Sequence, residues 1–300
     1  MKRVLFAALI AASATATAAA DGAAAATAAC SAMAPVLADP QDDAALLRHL
    51  YGATQKLHIR SALAGTATRD ITAALAAGEG GDEFRLVRER RTVQHDGRAL
   101  WLVILDSAPA RRSAQNLRID DCPDCRRQSH ALLLQPCAGG WRASRPAQAL
   151  AAGGGFAAES SFRFLPLGDD RIGILQQWKE PSVRGRRELQ ALFALDASGR
   201  VTRLLDLLRR FEDDDCGADA NTSGDDAPAA CRDTLNRIEP PTDASSDWPP
   251  LQIRSRYLDE RGQTREAGYR LEYRNGRYVP LSVELAPRLR PDFGARRATP

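Results

Sequence analysis

Four short turn sequences divide much of the chain into pairs of β-like runs. Each turn contains the glycine, aspartate or asparagine residues that tight hairpins require, because those residues tolerate positive φ angles. The turns are His95-Asp96-Gly97, Gly168-Asp169-Asp170, Asp196-Ala197-Ser198-Gly199 and Asn275-Gly276. Successive hairpins build antiparallel sheets, since neighbouring runs in the sequence then pair in space. We therefore predict a mainly β protein with antiparallel hairpin-built sheets, arranged as a sandwich or an irregular open sheet.

The runs beside these turns define the predicted strands. They are residues 84–94 with 99–106, 162–167 with 171–178, 187–195 with 200–208, and 269–274 with 277–283. The segment 200–211 also fits a helix, because its apolar residues recur at helical spacing. These residues are Val201, Leu204, Leu205 and Leu208. The preceding turn favours a strand, and a helix remains the alternative.

A helical segment is predicted ahead of the hairpins, over residues 39–80. Asp42 and Asp43 supply the capping carboxylate and the first-turn acid that favour a helix start. Leu46, Leu50 and Leu57 then recur at helical spacing. A second short helix is predicted over residues 69–77, ending at a glycine.

The chain then divides into five parts. Residues 1–20 are a predicted signal peptide, 21–38 a flexible Ala-rich lead-in and 39–80 the helical segment. The antiparallel β domain covers 84–285. The segment 286–300 contains three prolines and no alternation of apolar residues, so we expect it to be a disordered basic tail.

The first residues have the layout of an export signal. Met1-Lys2-Arg3 is followed by an apolar run over 4–12 and then by small residues, with Asp21 the expected first mature residue. Because the cations are almost all arginine and alanine is abundant, we expect a bacterial protein of the periplasm, or a secreted one. The alternatives are an uncleaved anchor and a lipoprotein acylated at Cys30.

Charge and hydropathy exclude several classes. The net charge is +3, two of the cations lie in the predicted leader, and 44% of residues are hydrophobic. This balance is that of a globular chain, and it leaves no cationic excess for nucleic acid. No later segment is long and apolar enough for a transmembrane helix. The expected partner is an unidentified envelope ligand or protein.

Six cysteines in an exported chain predict disulfides. Cys216 and Cys231 bracket fourteen residues rich in aspartate, glycine and alanine, and closing that loop would stabilise the fold by about 3 kcal/mol. We predict this pair, and a further disulfide among Cys122, Cys125 and Cys137 whose pairing stays open.

The same cysteines allow two other chemistries. Cys122 and Cys125 have the C-x-x-C spacing of redox dithiols, although the neighbouring aspartates would raise the thiol pKa. With His130 and Cys137 they also resemble a zinc knuckle with an overlong last spacing.

The loop between Cys216 and Cys231 has alternating oxygen side chains before a glycine, as in the first half of a calcium loop. They are Asp219, Asn221, Ser223 and Asp225. The twelfth position is Ala230, so the bidentate glutamate of such loops is missing. Calcium is the alternative to a plain acidic loop, and we expect no other cofactor.

Histidine and tryptophan provide few candidates for a site. His49 and His58 lie on opposite sides of the predicted helix, and no catalytic motif accompanies His95 or His130. The four tryptophans are scattered, which favours core packing over a stacking platform. We therefore expect a non-catalytic envelope protein that works as a binding or interaction module, with the acidic 213–226 loop as its first candidate surface.

Two alternatives come from other classes. One is an envelope hydrolase in which His95 or His130 meets a carboxylate in the fold. The other is a periplasmic thiol–disulfide protein that uses Cys122 and Cys125.

Overall fold

A computed structural model describes residues 37–60, 68–78, 81–95, 98–112, 117–119, 128–152, 160–168, 171–181, 185–196, 198–213, 233–241, 247–259, 262–281 and 286–292. Within these residues the chain forms one α-helix, sixteen strands and one 3-10 turn. All strand pairs are antiparallel, so the predicted fold class is confirmed.

Helix α1 (Asp43–Tyr51) precedes the first of two eight-stranded sheets. The strands of this sheet are β1 (Thr54–Arg60), β2 (Thr68–Gly78), β3 (Gly81–His95), β4 (Arg98–Arg112), β5 (Leu117–Ile119), β6 (Gln128–Cys137), β7 (Gly140–Ala143) and β8 (Gln148–Ala152). Their order is β1-β2-β3-β4-β6-β7, while β5 pairs with β4 and β8 pairs with β6.

The second sheet is an eight-stranded meander whose spatial order follows the chain from β9 to β16. Its strands are β9 (Ser161–Pro166), β10 (Arg171–Pro181), β11 (Gly185–Asp196), β12 (Val201–Asp213), β13 (Thr234–Glu239), β14 (Leu251–Leu258), β15 (Thr264–Arg274) and β16 (Arg277–Pro280). The 3-10 turn Pro287–Leu289 follows.

All four predicted hairpins are present, as β3–β4, β9–β10, β11–β12 and β15–β16. The last shows why its turn sequence is informative. Asn275 and Gly276 have φ angles of 52° and 83°, and two consecutive positive angles match the twist of the flanking strands.

The ambiguous segment 200–211 belongs to strand β12. Its pairing with β11 shifts register twice, between Glu188 and Leu189 and between Leu192 and Phe193. Each shift inserts an extra residue into β12, so its side chains do not alternate strictly. The helix-like spacing of the leucines is the sequence trace of these bulges.

The N-terminal segment corrects two predictions. Helix α1 begins as expected, with the Asp42 carboxylate accepting a hydrogen bond from the Ala45 amide at 3.0 Å. It ends at Tyr51, however, and Leu57 lies in β1. The second helix is wrong, because residues 69–77 form most of β2. Pairing with β1 on one side and β3 on the other outweighs the helix preference of its alanines.

Three apolar clusters hold the layers together. The first lies between the sheets, the second inside the curl of the second sheet, and the third between α1 and the outer face of the first sheet. Strands β4 and β6 therefore have apolar neighbours on both faces. Residues 102–105 and 131–134 are all buried, which explains their unbroken apolar sequence.

Both ends of the described chain are more ordered than predicted. Leu37, inside the expected lead-in, is buried and pairs with Trp141. Residues 286–292 were expected to be disordered but contain the 3-10 turn Pro287–Leu289, and Leu289 is fully buried in the second cluster. The remaining residues of the predicted leader, lead-in and tail lie outside the described part. Within the described part, no helix has the length and apolar character needed to cross a membrane.

Candidate functional site

A cleft lies where four strands of the second sheet end. Strands β12 and β13 pair at only two positions, Arg210 with Leu235 and Phe211 with Thr234, and then diverge. Beside this short ladder is a cavity of about 230 Å³. Its described lining comes from residues 210–212, 233–235, 256–258 and 264. We call it the strand-end cleft.

Two arginines give the strand-end cleft its cations. Arg210 and Arg256 flank Leu235 across the sheet, since each is its register partner on a neighbouring strand. Arg210 forms an ion pair with Glu212. Arg256 is exposed and has no ion pair within the described residues. A guanidinium presents a planar fork of donors that matches a carboxylate or a phosphate.

A buried hydroxyl group lies in the wall of the same cleft. Thr234 is only 4% exposed, and its Oγ1 atom has no hydrogen-bond partner among the described residues. A buried polar atom in this state costs about 1–3 kcal/mol. The register pairs Thr234 with Tyr257 and Leu235 with Arg256, so this hydroxyl lies on the inner face of β13, whereas Arg256 lies on the outer face.

The C-terminal turn supports one wall of the cleft. The Arg288 guanidinium lies 3.7 Å from the ring centroid of Tyr257, which lines the cleft. Asn236 holds this turn in place, because its Nδ2 donates to the carbonyls of Arg288 at 2.9 Å and Leu208 at 3.0 Å. The second bond also bridges β12 and β13 beyond their short ladder.

Positive charge is concentrated next to the cleft. Burial lowers the pKa of Arg209, and the cationic Arg210, Arg237 and Arg163 lower it further. Arg209 and Arg210 form ion pairs with Glu188 and Glu212, and the cleft lining holds the acids Glu212 and Asp233 beside its two arginines. Arg256 is the lining arginine that has no ion pair among the described residues.

Most of the predicted site residues lie outside the described part. This applies to Cys30, Cys122, Cys125, Cys216 and Cys231, and to the calcium candidates Asp219, Asn221, Ser223 and Asp225. Cys137 is described, at the end of β6, and is disulfide-bonded. The predicted pairings, the redox and zinc alternatives and the calcium loop stay predictions.

The histidines are dispersed. His49 lies in α1 and His58 in β1, so they do not share the helix that we predicted. His130 lies in β6, with its Nδ1 atom 3.3 Å from Nη1 of Arg85. Burial, and then the charge of Arg85, lowers the pKa of His130 to about 4. The ring is therefore neutral near pH 7 and faces a cation.

A buried serine–carboxylate pair lies on the other face of the same strand. Ser129 Oγ donates to Asp106 Oδ1 at 2.7 Å, and Gln176 Nε2 donates to Ser160 Oγ at 3.1 Å close by. Because successive strand residues point to opposite faces, His130 is directed away from this pair. The polar cluster links the two sheets at the end of their shared core.

The tryptophans pack against other groups. Trp248 stacks on Tyr273 with a centroid distance of 3.7 Å, and Arg171 lies over its ring at 4.3 Å. Two groups this close must occupy opposite faces of the ring. Trp178 is buried between the sheets, and Trp101 contacts Trp141 edge-on. Core packing, the favoured expectation, fits all four.

Sequence reasoning missed the strand-end cleft, because its lining is spread over four strands and no motif joins them. The helix-like spacing of apolar residues in 200–211 was the sequence feature that reflected the irregular strand pairing there. Three comparisons add no relatives: the sequence matches no protein-family model, and no similar chain was found among curated proteins or solved structures.

Proposed function

We propose that the protein is a non-catalytic binding protein of the bacterial envelope, and that the strand-end cleft takes an anionic group of its ligand. The observation that carries the proposal is Arg256, which lines the cleft, is exposed and has no ion pair among the described residues. The envelope location follows from the signal-like first twenty residues.

The chemistry of the cleft favours an oxyanion on a small polar molecule. Arginine binds carboxylates and phosphates through paired hydrogen bonds. The side chains of Tyr257 and Leu258 provide partly apolar walls. Pockets that combine such walls with a few convergent polar groups are the usual form of a ligand site.

Binding is favoured over hydrolysis by the surroundings of the described polar groups. Among the side chains that the structure describes, no imidazole lies beside the Ser129–Asp106 pair, since His130 is on the opposite face of β6 beside Arg85. A serine needs an adjacent base to act as a nucleophile. Binding of a ligand in the strand-end cleft requires no such base, because complementary charge and shape are sufficient for binding.

The test uses glucuronate and glycerol phosphate as probes, with neutral glucose for comparison. We expect calorimetry to show binding of at least one anion, and Arg256→Ala to weaken it about tenfold because an ion-paired group is lost. Arg254→Ala is the matched control, since Arg254 lies two residues away on the same strand, is exposed and pairs with Glu239. Equal losses in both variants would contradict the proposal.

A further inference from the structure

The outer face of strands β13 to β16 carries a band of arginines. Successive residues of a strand point to opposite faces, and the residues that alternate with the buried Ile238, Ile253, Leu271 and Tyr278 point outward. This outer face holds six arginines against three glutamates. The arginines are Arg237, Arg254, Arg256, Arg270, Arg274 and Arg277.

All six arginines are exposed. Two of the glutamates are already engaged, because Arg254 pairs with Glu239 at 3.0 Å and Arg274 with Glu272 at 2.9 Å. The other four arginines have no ion pair among the residues that the structure describes. The excess is large for a chain whose whole net charge is +3.

The register places like charges opposite each other. Arg237 faces Arg254 across β13 and β14, and Arg274 faces Arg277 across β15 and β16. Directly opposed like charges destabilise a sheet. One arginine of each pair is already in an ion pair, Arg254 with Glu239 and Arg274 with Glu272, so the charge left over belongs to Arg237 and Arg277. An anion on this face would neutralise that charge.

Three of the four arginines without an ion pair, Arg256, Arg270 and Arg277, lie on a diagonal line, and Glu266 is the register partner of Arg256. Arg256 lies at one end of the line, Arg270 in the middle and Arg277 at the other end. Arg277 is two strands away from Arg256 across the sheet and eight residue positions away along the strands. Standard strand spacing and rise give a length of about 28 Å. Arg256 also lines the strand-end cleft, so the line begins at the cleft.

We propose that this arginine line binds a linear acidic polysaccharide, one anionic sugar of which occupies the strand-end cleft. The inference extends the proposed function, and it rests on that proposal for the sugar that occupies the cleft. Neighbouring guanidinium groups on the line are about 14 Å apart, so the line complements a linear polymer whose anions recur along its length. Among the described residues, Leu281 is the one large apolar side chain that is exposed. The contact between this face and the polysaccharide is therefore mainly electrostatic.

A nucleic acid fits this surface less well. Binding of single strands relies on aromatic rings that stack with bases. The outward positions of β13 to β16 contain no aromatic residue, and both faces of the nearby Trp248 ring are covered. Sugars with carboxylates or phosphates need only the guanidinium line.

The experiment measures binding of oligogalacturonates of increasing length to the full protein at low salt. We expect the affinity to rise with length until the oligomer spans about 28 Å. The double variant Arg270→Gln and Arg277→Gln should lose about five- to tenfold in affinity for the long oligomer, leave monomer binding unchanged, and show a shallower salt dependence.

The matched control is Arg200→Gln with Arg203→Gln. It removes the same charge from exposed positions at the opposite end of β12 from the cleft. A neutral maltooligosaccharide and a single-stranded oligonucleotide of equal charge complete the panel. Equal losses in both double variants, or tighter binding of the oligonucleotide, would overturn the inference.

The outcomes separate the two proposals. Monomer binding that depends on Arg256, with no gain from length, would overturn the arginine line and keep the cleft. Binding of long oligomers that depends on Arg270 and Arg277, without any monomer binding, would support the line and reject the cleft.

Discussion

Acid should destabilise the fold through His130. The pKa of this ring is lowered from 6.5 to about 4, first by burial and then by the charge of Arg85. Between these two values the unfolded chain binds a proton that the folded ring does not. Stability from this residue is therefore fully present above about pH 6.5 and is lost as the pH falls toward 4.

The size of the effect follows from the shift. The full difference between the two pKa values corresponds to about 3 kcal/mol. Because the ring is only partly buried, solvent screening reduces the expected contribution to about 1–2 kcal/mol. That is a sizeable part of the stability of an ordinary domain.

His130→Gln measures this contribution. Glutamine does not titrate and still accepts a hydrogen bond from Arg85. We measure the free energy of unfolding by urea titration with tryptophan fluorescence. As the pH falls from about 7 to 4, the difference in this free energy between His130→Gln and the native protein should shift by about 1–2 kcal/mol in favour of the variant. In Arg85→Gln the acid loss should shrink but persist, because burial is the larger cause. Parallel stability curves for the native protein and His130→Gln would refute the reasoning.

Three further changes have expected outcomes in the same urea assay. Thr234→Val should leave stability unchanged or raise it by about 1 kcal/mol, because its buried hydroxyl lacks a described partner; a large loss would show that the hydroxyl is bonded. Leu289→Ala should cost about 2–4 kcal/mol, because the side chain is fully buried; an unchanged midpoint would contradict its packing role. Gly276→Ala should cost about 1 kcal/mol at its φ of 83°, and no loss would exclude the observed turn.

Local turn chemistry explains why the hairpins were predictable. Asn275 and Gly276 adopt positive φ angles. The short polar side chain of asparagine tolerates this conformation, and glycine adopts it freely because it has no Cβ atom. The Asp42 cap was readable for a similar reason, since its carboxylate bonds an amide only three residues away. Such interactions are complete within a few residues, so their sequence signals survive without knowledge of the fold.

The site depends on contacts between distant segments. The strand-end cleft joins residue 210 to residue 264 across four strands, and no spacing rule connects them. The arginine line is equally hidden, because Arg256 and Arg277 share a face only through the register of β14, β15 and β16.

Residues 69–77 show the same division between local and tertiary causes. Their alanines favour a helix by intrinsic propensity, and the sequence alone therefore indicated one. Ladder hydrogen bonds to β1 and β3, together with burial of Ala73 and Ala74, make them a strand. Local preferences of about 1 kcal/mol per residue specify the turns, whereas burial and pairing between distant strands decide the helix-or-strand choice and the position of the site.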